Sequence, residues 1–259
     1  MSNLQRKTAP DRARKIAGDL QAVGVDLPSS VVTALAHLDV VEKMRPQRAD
    51  AKALAQAYAT ADTKAVDRVA LDLATITDRL EAWTEGRILA GIAVLADIRA
   101  NGDDLVTALA AVAEPLMAAV TQAAAVETHD LNVLIRNGRG EEAEGVARLD
   151  INATDLAAMY ALRGMVTAGA EYAVSGWDCG TWSDPRPVRQ ALTMRPATGP
   201  VDLFVRGVRA GAQLWFPTPA QAQAAATEVH AAERAKASAA ADSAWSETTG
   251  AKRGSLMSS

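Results

Sequence analysis

The chain has 259 residues, 49% of them hydrophobic but only 4% aromatic, and a formal charge of −4. That length allows one large domain or two modest ones, and the acidic balance argues against a protein whose main task is coating nucleic acid. A single cysteine, Cys179, excludes an intrachain disulfide framework and a zinc site built on several cysteines.

Residues 1–14 are polar and charged, without the apolar core of a signal peptide. The longest apolar run, at 88–95, is too short to span a bilayer. The expected location is therefore the cytoplasm or an assembled particle, with no membrane contact.

In chain order, residues 1–8 read as a flexible arm. Thr8-Ala9-Pro10 opens a helix, because proline is tolerated in the first turn; its inward face is Ala13, Ile16, Ala17, Leu20 and Val23, and Gly24 closes it. Pro28-Ser29-Ser30 starts a second helix with Val31, Leu35, Leu38 and Val41 inward, and a weaker third follows over 47–59. The most regular stretch is 62–101. Val66, Val69, Leu73, Ile76, Leu80 and Trp83 recur at alternating steps of three and four, the face of a helix packed on other helices. This spacing places Leu73 and Ile76 in the main core. Asp62 is the expected N-cap, and Gly86 marks either a kink or a join between two helices. After Asn101-Gly102, a helix carrying Leu105, Leu109 and Val112 meets Pro115, which either kinks it or begins a new one. Residues 9–127 thus read as a helical bundle with short joins.

From 128 to 217 the pattern reads as a smaller mixed α/β module. Leu131, Val133 and Ile135 alternate with other residues, Asn137-Gly138 is a strong turn signal, and Ala147, Leu149 and Ile151 alternate in turn; together these suggest a β-hairpin over 131–151. A helix with Leu156, Met159, Leu162 and Val166 on one face follows. Six of the ten prolines and seven of the ten aromatic residues then fall between residues 160 and 219, with a short helix expected after Pro200. Thr218 with Gln221 forms a capping-box pattern that starts an alanine-rich helix over 218–247. Residues 248–259 read as a flexible tail. The fold class is mainly α.

No catalytic motif emerges. Cys179 and His129 form an imaginable thiol–base pair, but no local signature surrounds either, so a small buried cysteine is the simpler reading. His37, His129 and His230 lack a second ligand at metal spacing. Glu141, Glu142 and Glu144 read as a solvated acidic loop, and Gly138-Arg139-Gly140 lacks the context of a phosphate loop. No catalytic, cofactor or metal residue is assigned, and no cofactor is expected. Two surface constellations stand out. Trp177, Trp182, Trp215, Phe216, Val229 and Trp245 are candidate interface anchors, since tryptophan is enriched at binding hot spots; the competing reading is that they fill a core beneath a proline-rich loop. Arg6, Lys7, Arg12, Arg14 and Lys15 form a candidate basic patch for phosphate or an acidic partner, against which Asp11 and Asp19 argue for an ordinary charged helix face.

The 218–247 helix has high helical propensity but few large side chains. It is expected to mediate assembly rather than hold the fold. The reading is therefore a non-enzymatic structural or assembly protein that contacts other protein subunits in a homo- or hetero-oligomer. Seven lysines against 20 arginines, with abundant alanine, suggest coding from a GC-rich genome. In general style the chain loosely resembles head, connector or scaffold proteins of phages that infect GC-rich bacteria, although no single motif carries the resemblance. The alternative is an enzyme or small-molecule binder with its site in 129–216, which a concave pocket with convergent polar groups would favour.

Overall fold

The computed structural model describes residues 3–47, 51–168, 170, 172–174, 177–193 and 195–256. It is mainly helical, with elements in the order α1 (Asn3–Lys7), α2 (Ala9–Ala22), α3 (Ser29–Lys43), α4 (Ala51–Ala59), α5 (Thr63–Ala100), α6 (Gly102–Ala125), α7 (Leu131–Arg136), α8 (Gly140–Val166), β1 (Ala173–Val174), β2 (Trp177–Asp178), α9 (Arg186–Thr193), α10 (Pro200–Arg209) and α11 (Pro219–Leu256). Its contacts divide it into two compact units, Met1–Leu105 and Val106–Ser259. The division falls in the first turns of α6, not near residue 127.

In the first unit α2, α3 and α4 all pack along α5. Asp62 caps α5 as expected, its Oδ1 accepting from the Ala65 amide at 3.0 Å. The helix runs unbroken through Gly86. Its buried residues gather in the second half, at Ile88, Ala90, Gly91, Val94, Leu95 and Ile98, facing a core that includes Ala13, Ile16, Leu20, Val31 and Leu38. Gly91 permits the closest approach: a Cβ there would lie 2.5 Å from the backbone nitrogen of Pro10. The more regular first half is less covered. Ile76 is buried, but Leu73 is only half-buried. Period alone did not report how many helices cover each half of α5.

An ion-pair chain ties α2, α3 and α5 together. Arg87 reaches Asp11 at 2.5 Å and Glu42 at 2.8 Å, and Arg14 reaches Glu42 and Asp39, each at 2.6 Å. Burial pushes the Glu42 carboxyl up, but its hydrogen bonds from Arg87 and Arg14 outweigh this and hold it below its ordinary value. The Trp83 indole N–H donates to the Val41 carbonyl at 2.8 Å, and the Arg45 guanidinium lies over the Trp83 ring. The expected loose arm is helical over α1, where Arg6 pairs with Glu85.

In the second unit the expected hairpin over 131–151 is wrong: it is α7 followed by the start of α8. Asp130 caps α7, its Oδ1 accepting from the Asn132 and Val133 amides. Asn137-Gly138 is not a hairpin turn but a helix stop. Gly138 takes a φ of +72° and its N–H donates to the Ile135 carbonyl, while the Arg139 N–H donates to that of Leu134, the left-handed ending that glycine favours. The alternating residues Leu131, Val133 and Ile135 face outward, and the residue between them, Leu134, is the buried one, packed with Val126 and Ala143. The only paired strands among the described residues are β1 and β2, antiparallel with Val174 opposite Trp177.

Helix α6 continues through Pro115. By length and composition it is apolar enough to cross a membrane, although Asp103, Asp104 and Glu114 interrupt it, and 28% of its most apolar window is buried. The expectation of no such segment is corrected to that extent; a core helix of a water-soluble fold passes the same test. Arg209 donates to the carbonyl of Ala124 in the last turn of α6 at 3.1 Å and to that of Val126 just beyond it at 2.6 Å.

The capping box of α11 forms as read. Gln221 Oε1 accepts from the Thr218 amide at 2.8 Å and Thr218 Oγ1 from the Gln221 amide at 3.4 Å. The helix continues to Leu256, through most of the stretch expected as a flexible tail. Its first third is part of the fold: Ala222, Ala226 and Val229 are buried in one cluster with Trp177 and Cys179. The expectation that the whole helix lies outside the core is thereby corrected. Alanine buries little area per residue, but it lets a helix backbone come close to a large ring.

Candidate functional site

The aromatic residues of 160–216 converge on one cluster in the second unit. The 177–183 loop is folded by Asp178, whose Oδ1 accepts from the Gly180 and Thr181 amides, both at 3.1 Å. It is stapled to 213–215 by a bridge between Trp182 and Leu214, by the Ser183 N–H to the Gln213 carbonyl and by the Trp215 N–H to the Thr181 carbonyl. The Trp215 indole N–H donates to the Cys179 carbonyl at 2.9 Å. Trp182 lies edge-on to Phe204 and covers Gly207 so closely that a Cβ there would sit 2.2 Å from its ring. Tyr160 stacks on Phe216 with centroids 5.1 Å apart, and its hydroxyl donates to the Trp215 carbonyl at 2.9 Å. Burial pushes that hydroxyl far above the ordinary tyrosine value.

At the centre stands Arg163 of α8, the one buried charged side chain among the described residues, at 4% exposure. Its guanidinium lies 3.9 Å from the centroid of Tyr172 and 4.9 Å from those of Tyr160 and Phe216. Nη1 donates to the Gly180 carbonyl at 2.7 Å; Nε is buried without a partner, and no carboxylate pairs with the group among the described residues. Burial lowers its pKa. Three π faces and one carbonyl replace the missing counter-charge, the kind of desolvated cation–π contact worth about 2 kcal/mol or more. The sequence contained a signal for this residue. Leu156, Met159, Arg163 and Val166 keep the three-four-three spacing of the apolar stripe, so the arginine sits at an inward position.

The candidate anchors therefore separate. Trp177, Trp182, Phe216 and Val229 are buried, and Trp215 is half-buried. The first four are covered by their own chain and Trp215 in part, so their side chains pack within the second unit. Trp245 alone of the six lies open, at 73% exposure. The candidate basic patch is largely neutralised within the first unit: Arg6 pairs with Glu85, Arg14 with Asp39 and Glu42, and Lys15 with Asp19. Lys7 and Arg12 are outside any ion pair among the described residues.

Cys179 and His129 occupy different settings. The cysteine is fully buried beside Trp177 and the α11 alanines, and burial, with Asp178 and Asp184, pushes its thiol pKa up, away from a reactive thiolate. His129 Nε2 lies 3.1 Å from the Ala123 carbonyl and 3.2 Å from Arg209. No group of three metal-ligating side chains occurs among the described residues.

Two cavities flank α9, one of about 840 Å³ between Trp177, α9 and α11 and one of about 320 Å³ between Trp182, α9 and α10. A third, of about 540 Å³, lies between α6 and α8 beside Glu141, Glu142 and Glu144; Glu142 pairs there with Arg139, and Glu144 with Arg148. Cys179 and His129 line none of the three. Comparison of the chain with protein-family models, with curated proteins and with solved structures finds no match.

Proposed function

We propose that this chain is a non-enzymatic assembly protein that works through protein–protein contacts, and that the outer part of α11 joins it to further copies of itself. One observation carries the reading: beyond its buried first third, α11 runs on through 231–256, about 39 Å at 1.5 Å per residue, and its described side chains from 231 to 245 are exposed, Glu233 alone being partly covered. A helix gains most of its stability from packing an apolar face on neighbours. This segment offers small alanines, which allow two helices to approach closely, with Trp245 as an exposed aromatic anchor. Glu228 and Glu233 lie near Arg234 and Lys236, a mixed charge pattern that complements itself when two such helices pair side by side. The loose resemblance to phage head, connector and scaffold proteins supplies one setting for such a subunit.

Sedimentation velocity over a wide concentration range tests the proposal. The reading expects a concentration-dependent oligomer that Trp245→Asp dissociates. A wild-type protein that sediments as a monomer throughout, or an oligomer indifferent to Trp245→Asp, overturns it.

A further inference from the structure

The two cavities beside α9 have opposite chemical characters and share a wall. Trp177, Arg189 and Thr193 line both. The smaller is apolar, walled by Trp182, Pro185, Val188, Leu192 and Leu203. Its one carboxylate, Asp178, is turned to the Gly180 and Thr181 amides and makes this end unfavourable for an anion. The larger is lined by three cations, Arg186, Arg189 and Lys236, against two carboxylates, Asp184 and Glu233.

These charges are not equally available. Arg186 is closed on Asp184, with Nε at 2.9 Å from Oδ1 and Nη2 at 2.7 Å from Oδ2. Its hydrogen bonds hold the Asp184 carboxyl below its ordinary value. Arg189 is held differently: its guanidinium lies over the Trp177 ring at 4.4 Å, and neither it nor Lys236 forms an ion pair among the described residues. A guanidinium parked on a π face keeps its in-plane N–H donors open for a planar or tetrahedral anion. Arg189 thus lines the apolar cavity and the more charged one together.

We infer that α9 and its flanking cavities form a binding site for a small organic anion, an apolar or aromatic body bearing a phosphate, sulfonate or carboxylate. The body enters between Trp182, Val188, Leu192 and Leu203, and the anionic group meets Arg189 and Lys236. Cavities of a few hundred Å³, apolar with a few placed polar groups, are the usual form of such sites. The inference goes beyond the assembly reading and rests on Arg189 and the two cavities; it shares only Glu233 and Lys236 with the helix segment of that reading.

Isothermal titration of the full-length protein with 1-naphthyl phosphate, 1-naphthol and inorganic phosphate tests it. The expected result is saturable one-to-one binding of 1-naphthyl phosphate, with each half-ligand at least about tenfold weaker, a difference of about 1.4 kcal/mol. Arg189→Gln should weaken 1-naphthyl phosphate about tenfold or more and Lys236→Gln by a smaller factor. Arg99→Gln, an exposed change on α5, should leave it unchanged. Arg189 is exposed, so its replacement leaves the fold intact. Absence of saturable binding, equal affinity for 1-naphthol, or equal effects of Arg189→Gln and Arg99→Gln overturn the inference.

Discussion

Helices α5 and α11 are each 38 residues long, and they are used in opposite ways. α5 carries large aliphatic side chains to its end and has three helices of its own unit along it. α11 buries two alanines and a valine near its start, and its described side chains from 231 to 245 are exposed apart from the partly covered Glu233. Length and helical propensity therefore do not separate a core helix from a projecting one. The volume of the side chains on the inward face does, because burial energy scales with the apolar area removed from water.

The sharpest way to break this comparison is to cut side chains from the covered half of α5. Ile98→Ala should cost about 2–5 kcal/mol of stability in urea unfolding. A loss below about 0.5 kcal/mol would mean that the second half of α5 is not the core of its unit.

A smaller effect separates the two units by what holds them. In the second unit, Arg163→Ala should cost about 2–3 kcal/mol, because it empties the space between three rings and leaves the Gly180 carbonyl without its donor. Arg163→Met, which refills the space without a charge to desolvate, should recover more than half of that loss. Equal losses for the two variants would show that the charge, and not the packing, is what the cluster needs.

The same contrast predicts opposite responses to pH, of about 1 kcal/mol or less for the partly solvated Glu42 and larger for the buried Tyr160 hydroxyl. Glu42 is held below its ordinary carboxyl value, so the stability it gives the first unit is present above about pH 4.5 and is lost as pH falls. Tyr160 is held above the ordinary tyrosine value, so the second unit is unaffected below about pH 10 and loses stability as pH rises past it. Thermal melts across pH, with Glu42→Gln and Tyr160→Phe as controls, check both signs; each control should flatten its own limb only.

Least of all should Trp245→Ala disturb the isolated subunit, by under about 0.5 kcal/mol, the range of exposed substitutions away from special features. A larger loss of monomer stability would place that ring in the fold.

What was legible in the sequence was what local chemistry decides. Asp62 and the Thr218–Gln221 box were readable as caps because a cap is satisfied within one turn. The helical class followed from spacing. Tertiary placement was not readable in the same way. Asn137-Gly138 supports a hairpin turn and a helix stop equally well, and five alternating residues are too few to settle the period. Trp177 and Trp182 suit an interface or a core by sequence alone, the core being favoured, and it is the distant 213–215 segment that closes over their loop. Arg163 was readable in principle, as a charge at an inward position of α8, but its three aromatic partners are brought together from elsewhere in the chain. The early part of α11 was misjudged because side-chain size understates what Ala222 and Ala226 contribute by letting the helix approach Trp177.

The outer α11 is tested most directly by light scattering on the full-length chain beside a chain ended after His230, which keeps Ala222, Ala226 and Val229. The account predicts a full-length mass that is a multiple of 27.1 kDa and a monomeric shortened protein whose melting temperature moves by no more than about 2 °C. Equal oligomeric states for the two proteins, or a shortened chain that unfolds, would contradict it.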